Sequence, residues 1–317
     1  MRYRGASVSV PVWQAPPQPS RFRAAARIVT ALLLIGAIAW LGIPAARAYL
    51  LVRSAQTGHA PAPPRGLVVR SVEFRATDGV RLSGWLIQRA RTAPTVILIP
   101  GFKAGRTTMV PYARMVSTAG YNVLLYDPRG TGESGGSFGL GVRDSRDVLG
   151  AVRYLSSRSD LASRRYAVLG VSLGSGVAID AATRTPLIRA VIADSPYVDD
   201  RREIDRLNQL HAGPLSLPLA PIGRWVVDRL LGFSTAAFSP LGDVRRLGSR
   251  GLLLIHSRYD ANPTTPLADA EALYHADSAF ASLWIAPLGG HAGAIDAQPR
   301  AYRSHVIPFL RGYLGGQ

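Results

Sequence analysis

Short apolar segments alternate with helix-like segments through most of this chain, and this alternation restricts its possible folds more than any other feature. A hairpin is predicted first, because GLVVRSVEFRA and RLSGWLIQR flank the turn Thr77-Asp78-Gly79. The runs typical of strands buried on both faces then follow in the order TVILIPG, YNVLLYD, RYAVLGVS, AVIADSP, RGLLLIHSRYD and SLWIAPLGG. Strands that alternate with helices predict an α/β fold with a mostly parallel sheet covered on both faces.

One interval between two of these strands is longer than a connection needs. It covers about residues 198–250 and contains two helix-like pieces, DDRREIDRLNQLH and PIGRWVVDRLLGF, joined by the proline-rich AGPLSLPLAP. An insertion of this size predicts a small helical lid. An ordinary pair of helices that cover the sheet would give the same pattern.

An apolar segment near the N-terminus is long enough to cross a membrane. Residues 28–46 contain no charge, and as a helix they would span roughly 28 Å, close to the hydrocarbon thickness of a bilayer. Five arginines precede this segment and no acidic residue occurs before Glu73, so the positive-inside rule places the N-terminus in the cytoplasm. The sequence therefore predicts a single-pass anchor in the cell membrane, with the rest of the chain outside the cytoplasm.

A cleaved signal peptide is the alternative for this segment. Ala46-Arg47-Ala48 satisfies the small-x-small cleavage pattern after the helix-breaking Pro44, and cleavage after Ala48 would release a secreted domain. We favour the anchor, because the preceding basic stretch is long for a signal peptide. The predicted organisation is then a basic N-terminus at 1–27, a membrane helix at 28–46, a linker at 47–66 and the α/β domain at 67–317.

Charge and composition exclude several functional classes. The net charge of +17 comes almost wholly from arginines, which are scattered along the chain and do not interleave with aromatic residues as in a single-strand-binding sheet, so we predict no nucleic-acid partner. The chain has no cysteine, and its six histidines show no metal-ligand spacing. GTGESG resembles a dinucleotide fingerprint, but it follows no strand directly and opens no helix. We therefore predict neither a metal nor a cofactor.

The segment YAVLGVSLGSG carries the most informative motif. Gly170-x-Ser172-x-Gly174 is the pattern of a sharp strand-to-helix turn that presents a serine nucleophile. Glycine and serine are common here, so the motif needs support from other residues. Asp260 and His291 supply it, because each follows a predicted strand and the order serine, acid, histidine is that of a nucleophile-elbow hydrolase.

These residue types fit the chemistry of a serine nucleophile. A serine hydroxyl reacts only when an imidazole takes its proton, and a carboxylate must orient that imidazole. We predict His291 as the base and Asp260 as the acid, with Asp194 as the rival acid and more suited to an orienting or structural role. The oxyanion would be bound by the backbone N–H groups of Leu173 and Phe102.

Several segments resemble the successive landmarks of the α/β-hydrolase superfamily, in particular its serine aminopeptidase-like and monoacylglycerol lipase-like branch. They are TDGVRLSGW, LIPGF, YDPRGTGESGG, GVSLGSG, LLIHSRYD and GGHAG, and the similarity covers about residues 67–315. The resemblance implies an eight-stranded sheet, a lid between the sixth and seventh strands, and the roles assigned to Ser172, Asp260 and His291. The chain departs from it at Pro100-Gly101 in the oxyanion loop and at His256-Ser257 before the acid, where His-Gly is usual.

The expected activity is hydrolysis of an ester, a thioester or a small amide. A membrane anchor and a lid favour a small acyl or lipid-like substrate that is met at the membrane surface. Two alternatives stay open: a non-catalytic binding domain on the same fold, and an aminopeptidase-like amide hydrolase. The second would need acids that hold a substrate ammonium, for which the lid offers only Asp199, Asp200, Glu203 and Asp205.

Overall fold

The apolar runs form the strands of the structure, a computed structural model that describes residues 21–53, 55–56, 61–207, 209–212, 215–218, 220–277 and 279–315. In chain order the strands are β1 (Ala55–Gln56), β2 (Arg70–Arg75), β3 (Arg81–Ile87), β4 (Thr95–Ile99), β5 (Asn122–Tyr126), β6 (Thr131–Gly132), β7 (Tyr166–Val171), β8 (Ile188–Asp194), β9 (Gln209–Ala212), β10 (Leu215–Pro218), β11 (Gly251–Ser257) and β12 (Ala281–Ala286).

Helices connect most of these strands. They are α1 (Arg21–Val52), α2 (Val110–Thr118), α3 (Ser145–Ser157), α4 (Leu173–Thr183), α5 (Asp200–Leu207), α6 (Ala220–Leu231), α7 (Pro240–Val244), α8 (Leu267–Ala276), α9 (Ala294–Ala297) and α10 (Pro299–Leu314). Two short 3-10 turns, Arg106–Met109 and Thr235–Ala237, precede α2 and α7.

Eight of the strands form one sheet in the order β12-β11-β8-β7-β4-β5-β3-β2. The six strands from β12 to β5 run parallel to their neighbours, whereas β3 is antiparallel to β5 and β2 is antiparallel to β3. The prediction of a mostly parallel eight-stranded sheet is confirmed. The chain adds β5 on one side of β4 and β7 on the other, and such a switch point leaves a crevice at the carboxyl ends of the strands.

Apolar layers cover both faces of this sheet. On one face, α3, α4 and α8 contribute Val148, Val177 and Leu273 to the core. Each of these three residues is at most a few per cent exposed. On the other face, α2 and α10 contribute Val116 and Val306. The strands between them are buried on both sides, which is why their sequences are apolar runs rather than alternating patterns.

Helix α1 is long and apolar enough to cross a membrane, and a signal sequence would meet the same two criteria. The chain divides into two compact units, Met1–Ile43 and Pro44–Gln317, so the helix belongs to both. It runs past the predicted segment 28–46 at each end, and residues 47–52, expected in a linker, are helical. Alanine, arginine and leucine in this stretch are good helix formers, and Ala48 is buried in the core of the second unit.

The insertion at 198–250 differs from the expected pair of helices. Helices α5 and α6 are present, but Gln209–Ala212 and Leu215–Pro218 pair as an antiparallel hairpin between them. The predicted first helix therefore ends at Leu207, four residues earlier than its pattern indicated. The antiparallel pairing of Gln209–Ala212 with Leu215–Pro218 takes this stretch into a strand although its apolar spacing would also suit a helix.

A buried carboxylate cluster supports the loop that leads into α3. Arg129 donates to Asp78 at 2.9 Å and to Asp147 at 2.6 Å, and the Gly141 N–H donates to Asp144 Oδ2 at 2.6 Å. The other oxygen of Asp144 has no hydrogen-bond partner among the described residues. Burial first, and the neighbouring charge of Asp147 second, raise the pKa of Asp144 to about 7.

This raised pKa predicts the pH dependence of an Asp144→Asn variant. Between the unfolded pKa of about 4 and the folded value, the native state binds more protons than the unfolded state, so the free energy of unfolding falls as pH rises. We expect Asp144→Asn to remove this loss, with a stabilisation relative to wild type that is about 4 kcal/mol greater at pH 8 than at pH 4. Urea denaturation at both pH values measures the difference.

The control is Asp160→Asn, because Asp160 carries a lowered pKa that is due mainly to its hydrogen bond with Arg158. Its substitution is expected to bring no gain at pH 8. Equal stabilisation of Asp144→Asn at both pH values would contradict the assignment of the titrating group to Asp144.

Candidate active site

Ser172 lies on a sharp turn between β7 and α4. Its backbone adopts φ 54° and ψ −122°, a conformation that residues other than glycine rarely take. Conformations of this kind cost on the order of 1–3 kcal/mol and persist where the surrounding structure imposes them. Here the turn directs the chain from the end of a central strand into a helix and leaves the Ser172 side chain at the switch point of the sheet.

Gly170 and Gly174 make this turn possible for steric reasons. A Cβ atom at Gly170 would lie 1.9 Å from the carbonyl oxygen of Gly174, and one at Gly174 would lie 2.4 Å from that of Ile99. Both contacts involve backbone atoms that cannot rotate away. Gly170 is thus required by close packing within the turn, and Gly174 by close packing of the turn against β4.

His291 and Asp260 lie beside Ser172 in a continuous chain of hydrogen bonds. His291 Nε2 is 3.0 Å from Ser172 Oγ, and His291 Nδ1 is 2.9 Å from Asp260 Oδ2. The His291 side chain is 30% exposed, whereas the Asp260 side chain is fully buried. The structure therefore brings together three side chains that the sequence places after β7, β11 and β12.

The surroundings of Asp260 favour its ionised form. Burial acts to raise its pKa, but the hydrogen bonds from His291 and from the Asn262 N–H outweigh burial and hold the pKa below its usual value. An acid with a lowered pKa stays charged at neutral pH. Asp260 can therefore hold an imidazole in one tautomer and stabilise its protonated form.

Thr265 and His256 complete this arrangement, although no motif pointed to Thr265 and His256 was noted only as part of the segment before the acid. Thr265 Oγ1 is 3.1 Å from His291 Nδ1, and the Thr265 carbonyl is 2.8 Å from His256 Nε2. His256 is buried, with its Nε2 3.7 Å from Asp260 Oδ2. These contacts depend on the packing of the loop before α8 against β11, which a linear motif does not reveal.

Asp194, the rival acid, does not contact His291 in the described hydrogen-bond network. Its carboxylate accepts hydrogen bonds from Tyr302 at 2.9 Å, Ser195 at 3.1 Å and Tyr112 at 3.2 Å. Burial raises the pKa of Asp194 although these hydroxyl groups act in the opposite direction. Ser195 Oγ in turn accepts from the Ala292 N–H at 2.9 Å. Asp194 thus stabilises the loop that carries His291 through Ser195 and the Ala292 N–H.

Two backbone segments flank Ser172 where an oxyanion would form. Leu173 is the first residue of α4, so its N–H lies in the first turn and has no acceptor within the helix. The loop after β4 runs so close that a Cβ atom at Gly101 would lie 3.3 Å from Ser172 Cβ. Phe102, the next residue, packs edge to face against Phe138 at 5.2 Å between ring centroids. Both predicted N–H donors therefore belong to segments that border the serine.

A cavity of about 480 Å³ opens at this site. Most of its lining side chains are apolar, a composition typical of small-molecule sites. The lining residues are Leu51, Gly101, Phe102, Ala104, Thr108, Leu140, Val171, Ser172, Ile204, Asn262, Thr264, His291 and Ala292. Among the residues that the structure describes, no cluster of three or more His, Asp or Glu side chains is suited to a metal ion.

Comparison with known proteins identifies proteins that are similar to this chain. Residues 90–234 match the family model described as serine aminopeptidase, S33, a range that includes Ser172 and ends before Asp260 and His291. The uncharacterised protein YfhR of Escherichia coli K12 is 27% identical over 257 residues, which cover 78% of this chain and 82% of YfhR. The thiohydrolase aneE of Aspergillus aculeatus is 31% identical over 132 residues. These residues cover 40% of this chain and 42% of aneE.

The solved structures include an esterase with the same fold. The Pyrococcus furiosus esterase Pf2001 aligns with a TM-score of 0.68 and 25% identity over 84% of this chain and 99% of that chain. The alignment thus covers nearly the whole of the Pyrococcus protein. Its coverage of this chain is wider than the range of the family model.

Proposed function

Because this chain belongs to the α/β-hydrolase superfamily, we propose that it is a membrane-tethered serine hydrolase that cleaves carboxylic esters or thioesters through an acyl-enzyme intermediate. The observation that carries the proposal is the hydrogen-bonded chain from Ser172 through His291 to Asp260 at the mouth of an apolar cavity. Each of the three groups has the partner that its role requires.

The reaction would begin with attack of Ser172 Oγ on the carbonyl carbon of the substrate. His291 Nε2 accepts the hydroxyl proton as the bond forms, and the carbonyl oxygen becomes an oxyanion that the N–H groups of Leu173 and Phe102 stabilise. His291 then donates the proton to the alcohol or thiol that leaves, so that the acyl group stays on Ser172. Water, deprotonated by His291, releases the acid and restores the serine.

Asp260 would act through the other nitrogen of the imidazole. By accepting from His291 Nδ1, it leaves Nε2 free to accept the serine proton, and its negative charge stabilises the imidazolium that forms. The Thr265 hydroxyl contacts the same Nδ1 and restricts rotation of the ring. Both contacts support a preorganised base rather than one that must move into position.

The membrane tether is assigned to helix α1. Its length and apolar composition, with arginines before it and no acid before Glu73, support a signal anchor with the N-terminus in the cytoplasm. The hydrolase unit would then face the extracytoplasmic side. Mass spectrometry of the mature N-terminus distinguishes the anchor from a secreted form, because cleavage after Ala48 would make Tyr49 the first residue.

Aminopeptidase activity is the second candidate, since the matching family model carries that description. It would need a free carboxylate to bind the substrate ammonium. In the lid, Asp199 pairs with Arg202 at 3.5 Å and Asp205 with Arg224 at 2.8 Å, whereas the side chain of Glu203 lies outside the described residues. Asp200 is buried. Paired and buried acids are poor ammonium sites, which supports ester or thioester hydrolysis.

A substrate panel tests this choice. Full-length protein in lipid nanodiscs is assayed with p-nitrophenyl octanoate, an octanoyl thioester and leucine p-nitroanilide, and the rate of Ser172→Ala is subtracted. We expect kcat/KM for the ester to exceed that for the anilide by about 100-fold or more, because an unpaired ammonium in an apolar cavity costs several kcal/mol. A preference for the anilide would reverse the assignment, and a folded protein inactive on all three would support a binding domain.

A further inference from the structure

The end of helix α1 belongs to the substrate cavity as well as to the membrane segment. We propose that its last turns form one wall of the acyl-binding site and that Leu51 determines which acyl chain lengths are accepted. The inference rests on the proposed hydrolase function and adds a substrate class, aliphatic acyl esters or thioesters, and a residue that selects among them. It follows from the packing, the backbone contacts and the cavity lining of residues 44–56.

The packing of these turns makes them part of the hydrolase unit. The unit begins at Pro44, and Ala48 is 1% exposed within the same apolar core that contains strand and helix residues of the sheet. Leu51 and Val52 are partly buried against this core. The side chain of Leu50, in contrast, is 59% exposed. One face of the helix end is therefore fixed against the fold while the other faces outward.

Polar contacts hold the same segment at the active-site loops. The Lys103 ammonium donates to the Leu50 carbonyl, and Lys103 directly follows Phe102 in the proposed oxyanion loop. Beyond the helix, Ala55–Gln56 pairs in parallel with Thr131–Gly132. The helix end is thus tied on both sides of Leu51, so its position relative to Ser172 is set by the fold.

Leu51 lines the cavity together with apolar side chains from three other parts of the chain. Phe102 comes from the loop after β4, Leu140 from the loop before α3 and Ile204 from α5 of the lid. A surface of this kind stabilises methylene groups and penalises charged ones. An aliphatic acyl chain attached to a carbonyl at Ser172 is the group that fits this lining.

In this arrangement a single helix, α1, serves both as the membrane anchor and as one wall of the acyl-binding site. Cleavage after Ala48 would separate Leu51 from the buried Pro44 and Ala48 and make it the third residue of the mature chain. Retention of the helix is then required for the acyl preference as well as for tethering.

The test compares acyl selectivity in two matched substitutions of the full-length protein in nanodiscs. Leu51→Trp fills the cavity wall, and Leu50→Trp makes the same change at the exposed neighbouring position. For each variant, kcat/KM is measured with p-nitrophenyl acetate and p-nitrophenyl dodecanoate. We expect Leu51→Trp to lower the dodecanoate-to-acetate ratio about tenfold or more, since one methylene of misfit in an apolar pocket has an effect of this size. Leu50→Trp is expected to keep the wild-type ratio.

Leu51→Ala extends the test in the opposite direction, because a smaller side chain should raise the ratio. Labelling of Ser172 by a fluorophosphonate verifies that each variant is folded at the site. Equal ratios in the Leu51 variants and wild type, or equal shifts in the two tryptophan variants, would overturn the role of Leu51 while leaving the hydrolase function intact. Absence of both ester hydrolysis and labelling in folded wild type would overturn the proposed function and this inference with it.

Discussion

Replacement of Ser172 by alanine is expected to lower kcat for ester hydrolysis by about 10⁴-fold or more and to abolish labelling by a fluorophosphonate. The substitution removes the hydroxyl that is hydrogen-bonded to His291 Nε2 at the cavity. Without the nucleophile no acyl-enzyme forms, and only the weak catalysis provided by the oxyanion site and substrate positioning remains. Steady-state kinetics and in-gel fluorescence measure the two effects.

Ser175→Ala provides a matched control for this prediction. Ser175 lies one helical turn further along α4, and its hydroxyl donates to the Ser172 carbonyl at 2.6 Å rather than to His291. We expect Ser175→Ala to retain labelling and most of the activity. Labelling that persists in Ser172→Ala would identify another nucleophile and contradict the assignment.

The second large effect concerns the acid that orients His291. Asp260→Asn is expected to lower kcat by about 10⁴-fold, because the amide cannot stabilise an imidazolium and favours the wrong tautomer at Nδ1. The expected loss is independent of the stability of the fold, which circular dichroism checks in the same samples. Steady-state kinetics with p-nitrophenyl octanoate measures it.

Asp194→Asn separates the two candidate acids. Asp194 is bound by three hydroxyl groups and not by His291, so we expect this variant to lose stability, by about 1–3 kcal/mol, rather than most of its activity. A 10⁴-fold loss of kcat in Asp194→Asn with wild-type activity in Asp260→Asn would exchange their roles.

The sequence was sufficient to predict the edge of the sheet at which the candidate site lies. Ser172, Asp260 and His291 each follow an apolar run, and the carboxyl ends of parallel strands meet at one edge whatever the loops between them do. Gly170 and Gly174 could also be predicted, because the need for a small residue is local to the turn. The apolar runs of the strands and the local requirement for small residues are therefore enough to predict most of the fold.

Features that depend on distant packing could not be predicted. The hairpin of β9 and β10 interrupts a segment whose composition favoured a helix followed by a loop, and its pairing is set by neighbours rather than by propensity. Thr265 and His256 reach His291 and Asp260 only after the loop before α8 has folded back. The burial of Ala48 was likewise hidden, because an apolar residue at the end of a membrane segment has the same composition whether it faces lipid or protein.

The position of β12 has a consequence for how the protein responds to heat. His291 follows β12, which is the outermost strand at one end of the sheet, pairs with β11 among the described strands and is only partly buried along most of its length. Edge elements of this kind open locally at a lower free energy than the strands at the centre, which exchange their amide hydrogens only on global unfolding. Fraying of β12 would move the base away from a serine that stays in place between two central strands. We therefore expect thermal inactivation to report the opening of one edge strand and to precede the melting of the sheet that holds the nucleophile.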